Sequence, residues 1–102
     1  MADFVACADF LLGSGLASRL YAMGESAGAV PVAAALNARP QLFSGVVVVA
    51  PFVDLLTSLS DPSLPLTTTD YVEWGNPADP EERSWIASYA PVYNVSRQSY
   101  PP

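Results

Sequence analysis

Hydrophobic residues near the start of the chain recur at the spacing of an α-helix. Apolar or small side chains return every three or four positions at Phe4, Cys7, Ala8, Leu11 and Leu12. This spacing predicts a helix that Asp3 caps and that Gly13 ends, because glycine readily takes the left-handed conformation that follows many helices. Cys7 falls on the apolar face of this helix, so we expect its thiol to be buried and unreactive.

The pattern then changes to a strand, a helix and a second strand. Arg19 to Met23 predict a short strand, Gly24 to Gly28 a tight turn, and Ala29 to Ala38 a helix rich in alanine. Gly45 to Ala50 predict a second strand, whose run of valines favours burial on both faces of a parallel sheet. Strand, helix and strand in this order form a βαβ unit, which indicates an α/β fold.

The second half of the chain has less regular patterning. From Pro51 to Ala78 proline, threonine, serine and aspartate dominate, and no periodicity is visible. We expect a long loop there, ordered by its aromatic side chains. A short helix should follow, with Asp79 as its N-cap, Pro80 at its first position and Glu82 placed for a capping box. This helix is expected to run to about Tyr89, where a proline soon follows.

Two strands alone would leave a sheet with open edges and uncovered faces. Residues 1–102 are therefore predicted to be part of a larger α/β domain that is incomplete at both ends. Because the valine strand would lack neighbours, we also expect the chain to have low stability by itself.

Composition narrows the function classes. Ten Asp and Glu residues against four Arg and no Lys give a net charge of −6, which argues against a nucleic-acid surface and is compatible with basic peptides. No apolar run reaches the roughly 18 residues of a membrane span, and no signal peptide is indicated, so a cytoplasmic protein is expected. The single cysteine excludes an internal disulfide. Nothing indicates a metal or an organic cofactor.

One motif carries chemistry. Gly24-Glu25-Ser26-Ala27-Gly28 matches the pattern G-x-S-x-G and joins a predicted strand to a predicted helix. This is the placement of a nucleophile elbow, the turn that presents the catalytic serine of α/β hydrolases. Ser26 is the predicted nucleophile and the N–H of Ala27 a predicted oxyanion donor. Both glycines are expected to be required, because side chains there would collide with neighbouring backbone. The alternative is a glycine-rich turn without chemistry.

The partners that a catalytic serine needs are absent or ambiguous. The chain has no histidine, so it cannot supply the imidazole that accepts the serine proton. Asp54, Asp61 and Asp70 are candidates for the acid. Each of them is expected to be a turn residue or a solvated carboxylate instead.

Several segments together resemble one family of enzymes. These segments are Asp3 to Ala8, Gly24 to Gly28, Leu36 to Phe43, Pro51 to Asp54, Asp61 to Thr67, Glu73 to Pro77 and Ser88 to Pro91. Over them the chain resembles the oligopeptidase B group of the prolyl oligopeptidase family (S9) of serine peptidases. The resemblance implies a partial α/β-hydrolase fold and cleavage of short peptides after Arg or Lys, through an acyl-enzyme on Ser26. It also implies that a tyrosine oxyanion donor lies upstream, that the triad Asp and His lie downstream, and that a gating β-propeller lies outside the chain.

The chain departs from this family at two places. The family has two glycines after the Ser-Ala of the elbow, whereas here Ala29 follows Gly28. The family also has two acidic residues, two positions apart, that help receive the basic side chain of the substrate. Asp70 matches the first, Val72 replaces the second, and Glu73 is adjacent. Since a charge-assisted contact is typically worth about 1.5–3 kcal/mol, a weaker preference for basic residues is expected.

Three hypotheses follow for function. The chain is a piece of a serine oligopeptidase that works with complementary segments of the same enzyme, a piece of another α/β hydrolase such as an esterase, or a non-catalytic remnant. The segment from Asp61 to Pro77 argues against the esterase. The missing histidine favours the remnant for the isolated chain, which we expect to be inactive.

Overall fold

The computed structural model describes all residues from 1 to 102, which form five α-helices and two β-strands. In chain order these are α1 (Ala2–Gly13), β1 (Tyr21–Glu25), α2 (Ala29–Ala38), β2 (Gly45–Val49), α3 (Leu55–Leu59), α4 (Thr67–Trp74) and α5 (Pro80–Tyr89). Short 3₁₀ helices precede α2 (Ser26–Gly28), precede β2 (Pro40–Leu42) and follow α5 (Pro91–Asn94). None of the helices combines the length and the apolar character needed to cross a lipid bilayer.

The predicted βαβ unit is confirmed. β1 and β2 pair in parallel, with Ala22 opposite Val46 and Gly24 opposite Val48. Ala22 and Gly24 are buried while Tyr21, Met23 and Glu25 are exposed, because α2 packs against one face of the sheet. This pairing brings the carboxyl ends of β1 and β2 side by side, which is the edge where α/β sheets carry their sites.

Two apolar clusters share α2 as their common element. In the first, residues of α2 pack against α1, β1 and the segment before β2: Ala8, Ala22, Val32, Ala35, Leu42 and Phe43. In the second, α2 meets α3 and α5: Val30, Leu55, Leu56, Leu59, Ile86 and Ala90. α2 therefore fixes the sheet on one side and positions α3 and α5 on another.

The expectation of a long loop from Pro51 to Ala78 is wrong, because α3 and α4 lie within it. α3 has only five residues, too few for a hydrophobic repeat to be visible, although all three of its leucines are buried. α4 begins with three threonines, which are weak helix formers. Thr67 is nevertheless buried, and its hydroxyl donates to the Ser58 carbonyl at 3.2 Å. Tertiary contacts therefore decide the structure of this segment.

The burial on both faces that the valine run favours is not reached in this chain, as the predicted lack of neighbouring strands implies. Val47, Val48 and Val49 are 56%, 41% and 41% exposed. Tyr21 and Met23 of β1 are exposed as well. The reason is that β1 is the only strand beside β2, and α2 covers only one face of the pair.

Three details of α1 differ from the prediction, and β1 spans Tyr21–Glu25 instead of Arg19 to Met23. Cys7 is exposed, since the residue of α1 that turns inward is Ala8. The helix begins directly after Met1, so Asp3 lies inside its first turn and makes no capping hydrogen bond. The left-handed glycine after the helix is Gly15, with φ of +74°, and not Gly13.

α5 begins and ends as predicted. The Asp79 carboxylate caps it by accepting hydrogen bonds from the N–H groups of Glu81 (2.8 Å) and Glu82 (3.1 Å). The predicted capping box does not form. The Glu82 carboxylate instead accepts the N–H of Asn76 at 2.5 Å, which links α5 to the residues that follow α4.

Replacing Asp79 by alanine should lower the free energy of unfolding by about 1 kcal/mol, because two N–H groups at the start of α5 lose their acceptor. Asp3→Ala is the matched control and should change it by no more than about 0.5 kcal/mol, since Asp3 caps nothing. Urea unfolding followed by far-ultraviolet circular dichroism, at a constant concentration of the stabilising osmolyte TMAO, measures both. Equal effects of the two substitutions would contradict this account of the caps.

Candidate active site

Ser26 lies at the junction between β1 and the helical turn that leads into α2. β1 extends to Glu25, so the strand delivers Ser26 directly to this turn. The φ angle of Ser26 is +51°, a left-handed conformation that costs a residue with a side chain roughly 1–3 kcal/mol. The sharp turn leaves Ser26 exposed at the carboxyl end of the strand. Strand, strained serine and helix together have the geometry of a nucleophile elbow.

The two glycines of the motif have different roles. A Cβ atom at Gly24 would lie 2.6 Å from the carbonyl oxygen of Gly28 and 2.8 Å from the Cα of Ala29, both too close for real atoms. Gly24 is therefore required for the approach of α2 to β1. At Gly28 no atom lies within 4 Å of the Cβ position, and φ is −64°. The expectation that both glycines are required is wrong for Gly28 in this chain.

A backbone hydrogen bond joins the elbow to the segment after β2. The N–H of Phe52 donates to the carbonyl oxygen of Ser26 at 3.0 Å. Ala50, between β2 and Phe52, also has a positive φ, of +41°. This bond therefore joins the strained turn after β1 to the strained turn after β2.

A cavity of about 430 Å³ opens beside Ser26. One wall is the elbow itself, with Ser26 and Ala27. Phe52 and Trp74 form another, with their rings edge to face and their centroids 5.8 Å apart. Ala27 occupies the second position of the 3₁₀ turn, where a backbone N–H has no carbonyl partner from an earlier turn of the same helix.

Backbone strain in this chain is concentrated around the cavity. Three residues other than glycine have positive φ angles: Ser26, Ala50 and Leu66, the last at +72°. All three line the cavity. Strained backbone of this kind clusters at functional sites, because surrounding contacts must hold it in place.

The candidate aspartates lie in different surroundings. Asp54 caps α3 by accepting the N–H of Thr57 at 3.3 Å. Asp61 accepts hydrogen bonds from the hydroxyl (2.6 Å) and the N–H (2.9 Å) of Ser63, and these bonds lower the pKa of Asp61. Both therefore are the cap and turn residues that the sequence predicts. Asp70 is the one of the three that lines the cavity with Ser26.

The side chains beside Ser26 include no general base of the usual kind. The chain has no histidine. Glu25, although adjacent in sequence, is exposed and does not line the cavity. No group of three or more His, Cys, Asp and Glu side chains is arranged to hold a metal ion.

Some cavity residues have no role that the sequence predicts. They are apolar or aromatic side chains of the segment that the sequence predicts as a loop: Phe52, Leu59, Leu64, Leu66 and Trp74. All of them but Leu59 lie in segments that resemble the family. Their apolar character within a polar segment indicates that the segment is ordered, but not that it forms a site.

The geometry around Ser26 places the chain in the α/β-hydrolase class. Comparison with known proteins identifies the family within this class. The model of the prolyl oligopeptidase family (Peptidase_S9) matches residues 1–102. The chain therefore belongs to this family, and its structure is part of the α/β-hydrolase fold of the catalytic domain.

Solved structures and sequence relatives agree with this assignment. Oligopeptidase B from Trypanosoma brucei, in a closed form with covalently bound antipain, matches this chain with a TM-score of 0.92 and 46% sequence identity. Oligopeptidase B from Leishmania major matches it with a TM-score of 0.92 and 44% sequence identity. In both cases the match covers 97% of this chain and 14% of the other. Dipeptidyl aminopeptidase BI from Pseudoxanthomonas mexicana is 39% identical over 101 residues, which are 97% of this chain and 14% of the relative. The chain thus spans about 14% of the length of these relatives.

Gly24→Ala should lower the free energy of unfolding by about 1–3 kcal/mol, because the added methyl group would force β1 and α2 apart. Gly28→Ala is the matched control. It should leave stability unchanged or raise it by up to about 1 kcal/mol, because alanine restricts the unfolded chain and fits the helical angles. Urea unfolding in TMAO distinguishes the two. A Gly24→Ala chain as stable as Gly28→Ala would contradict the close approach described above.

Proposed function

We propose that Ser26 is the nucleophile of a serine peptidase whose catalytic domain includes this chain. The observation that carries the proposal is the position of Ser26, with φ of +51°, at the strand–helix turn beside a cavity. In this mechanism Ser26 Oγ attacks the carbonyl carbon of the scissile peptide bond, and a base accepts its proton. The C–N bond then breaks, the amine leaves with that proton, and water hydrolyses the acyl-enzyme.

Ala27 supports the same reaction from the backbone. Its N–H is one of the unpaired donors at the start of the helical segment, and Ala27 lines the cavity next to Ser26. A donor at this position can hydrogen-bond the oxygen that becomes negative when Ser26 attacks. We assign Ala27 one half of the oxyanion hole. Gly24, Glu25 and Gly28 complete the elbow, with Gly24 as the residue that its geometry requires.

The substrate side chain in this proposal is basic. Asp70 lines the cavity, and none of the four arginines does. The chain as a whole carries a net charge of −6, which favours the approach of a cationic peptide. Short peptides cut after Arg or Lys are therefore the proposed substrates, with Asp70 as a residue that receives the positive charge.

The reaction needs more than this chain. An imidazole base must come from another segment of the catalytic domain, since the chain has none. The shape of this chain fits a partial domain, because its accessible surface is 6320 Å² and its radius of gyration is 14.8 Å. A compact monomer of this mass would have about 5,500 Å² and about 12.8 Å. We propose that the exposed faces of β1 and β2 are covered by complementary segments of the same enzyme.

A chimera tests the proposed role of Ser26. The corresponding segment of the Trypanosoma brucei oligopeptidase B is replaced by this chain, and hydrolysis of an arginyl peptide amide is measured. The chimera should cleave the substrate, and Ser26→Ala should reduce kcat by roughly 10⁶-fold, as for loss of a catalytic serine. Ser84→Ala, at an exposed position of α5, is the matched control and should leave kcat unchanged.

The isolated chain serves as the negative control for activity. It should neither hydrolyse the peptide nor react with a fluorescent fluorophosphonate, because Ser26 has no base to accept its proton. A chimera in which Ser26→Ala retains activity would refute the assignment of Ser26. Labelling of the isolated chain that disappears with Ser26→Ala would refute the requirement for a base from another segment.

A further inference from the structure

Residues 95–102, which we call the strap, have a defined course although they form neither a helix nor a strand. They continue from the 3₁₀ helix after α5, pass the end of α2 and reach the amino end of β2. There the N–H of Val46 donates to the carbonyl oxygen of Pro102 at 2.9 Å. Because the strap has no regular hydrogen bonding of its own, its course depends on the residues that it contacts.

Asn37, in the last turn of α2, is the residue of this helix that holds the strap. Its main-chain carbonyl accepts a hydrogen bond from the Gln98 side chain at 2.8 Å, and its Oδ1 accepts one from the Tyr100 hydroxyl at 3.1 Å. Its Nδ2 donates to the carbonyl oxygen of Pro91, in the 3₁₀ helix before the strap, at 2.8 Å. Asn37 therefore connects α2 to partners that lie 54 to 63 positions further along the chain.

The chemistry of the partners fixes the orientation of the Asn37 amide. A carbonyl oxygen can only accept, so Nδ2 must face Pro91 and Oδ1 must face Tyr100. The Tyr100 hydroxyl consequently donates to Asn37. It accepts hydrogen bonds from the Gln98 side chain at 3.0 Å and from the N–H of Ser96 at 3.2 Å. Phenylalanine at position 100 would therefore remove three hydrogen bonds at once.

Helix formation does not explain why residue 37 is an asparagine. α2 is rich in alanine, and asparagine is a weaker helix former than alanine. Asn37 is half-buried and does not line the cavity beside Ser26. The contribution of its side chain is therefore the connection from α2 to the strap.

These contacts close a ring that passes through Ser26. From Ser26 the helical turn leads into α2, and the last turn of α2 carries Asn37. Asn37 holds the strap, and Pro102 of the strap contacts Val46 on the edge of β2 away from β1. β2 then leads to Phe52, whose N–H donates to the Ser26 carbonyl at 3.0 Å. The two elements that hold the Ser26 turn, α2 and β2, are thus joined to each other at their far ends as well.

We propose that Asn37 is a positioning residue for the Ser26 nucleophile: by holding the strap, it fixes α2 and β2 relative to each other at the ends remote from the site. This inference rests on the proposed function of Ser26 and names a residue outside both the elbow and the cavity. Displacing reacting groups by about 1 Å can cost roughly 10²-fold in rate. Loosening the ring should affect the chemical step more than substrate binding, because no residue of the strap lines the cavity.

Amide hydrogen exchange of the full chain, followed by NMR in TMAO, tests the contact between Asn37 and the strap. The quantity measured is the exchange rate of Val46 relative to the amides that pair β1 with β2. Asn37→Ala and Tyr100→Phe should each raise this ratio by at least about fivefold, since one hydrogen bond contributes about this factor. Tyr71→Phe is the matched control. It removes a half-buried hydroxyl that donates to the Leu59 carbonyl at 3.1 Å, outside the ring, and should change the ratio by less than about twofold.

The chimera with the Trypanosoma brucei enzyme tests the effect on the reaction. Asn37→Ala should lower kcat for the arginyl peptide amide by roughly tenfold and change KM by less than about twofold. Tyr100→Phe should lower kcat in the same way. Asp79→Ala is the control for general destabilisation, because Asp79 lies outside both the ring and the cavity. It should leave kcat unchanged at a temperature at which all variants are folded.

The outcomes separate this inference from the function on which it rests. An unchanged exchange ratio in Asn37→Ala and Tyr100→Phe would overturn the role of Asn37 in holding the strap. A raised ratio together with the wild-type kcat in both variants would overturn its role in positioning Ser26, and an equal loss of kcat in Asp79→Ala would do the same. A wild-type chimera without activity would reject the proposed function of Ser26, and the positioning role with it. An active chimera that is insensitive to residue 37 would reject the positioning role alone.

Discussion

The backbone turn at Ser26 is the constraint on which the rest of this structure depends. A serine with φ of +51° is stable only when its neighbours hold it there. Gly24 permits α2 to approach β1 to a distance that no side chain would tolerate. The hydrogen bond from Phe52 N–H to the Ser26 carbonyl then fixes the turn from the other strand. Strand, helix and site are therefore positioned by one local arrangement.

The cavity follows from that arrangement. Because β1 and β2 are parallel and in register, the turns after both strands come to the same edge of the sheet. The residues after β2 then run past Ser26 and lead into α3, whose leucines are buried against α2 and α5. α4 returns along the cavity and contributes Asp70 and Glu73 to its wall. The acidic wall is thus a consequence of how α3 and α4 pack, and not of the elbow motif alone.

The elements that could be predicted from the sequence are those that a short motif specifies locally. The valine run, the G-x-S-x-G motif and the Asp79-Pro80 cap each specify their element within a few residues, and the βαβ unit and α5 form as predicted. α3 and α4 could not be predicted in this way. Their few turns and their threonines give no periodic signal, and the buried Thr67 and the leucines of α3 acquire their roles only through tertiary contacts.

The same distinction applies to the site. Ser26 and Ala27 are visible in the motif, whereas the need for Gly24 but not Gly28 depends on where α2 lies. The exposure of Val47 to Val49 follows from neighbours that this segment lacks, as the prediction of only two strands indicates. Asp70 and Glu73 come to the same cavity wall only because α4 forms in the segment that the sequence predicts as a loop.

Amide hydrogen exchange at Phe52 tests the central claim most directly, because this N–H holds the Ser26 turn to the second strand. Exchange is followed by NMR in the wild-type chain and in Gly24→Ala. The account predicts that Phe52 in the wild type is protected to the same degree as the amides that pair β1 with β2, and that Gly24→Ala removes this protection. Phe52 exchanging at the rate of an unstructured amide in the wild type, while the paired strands stay protected, would contradict it.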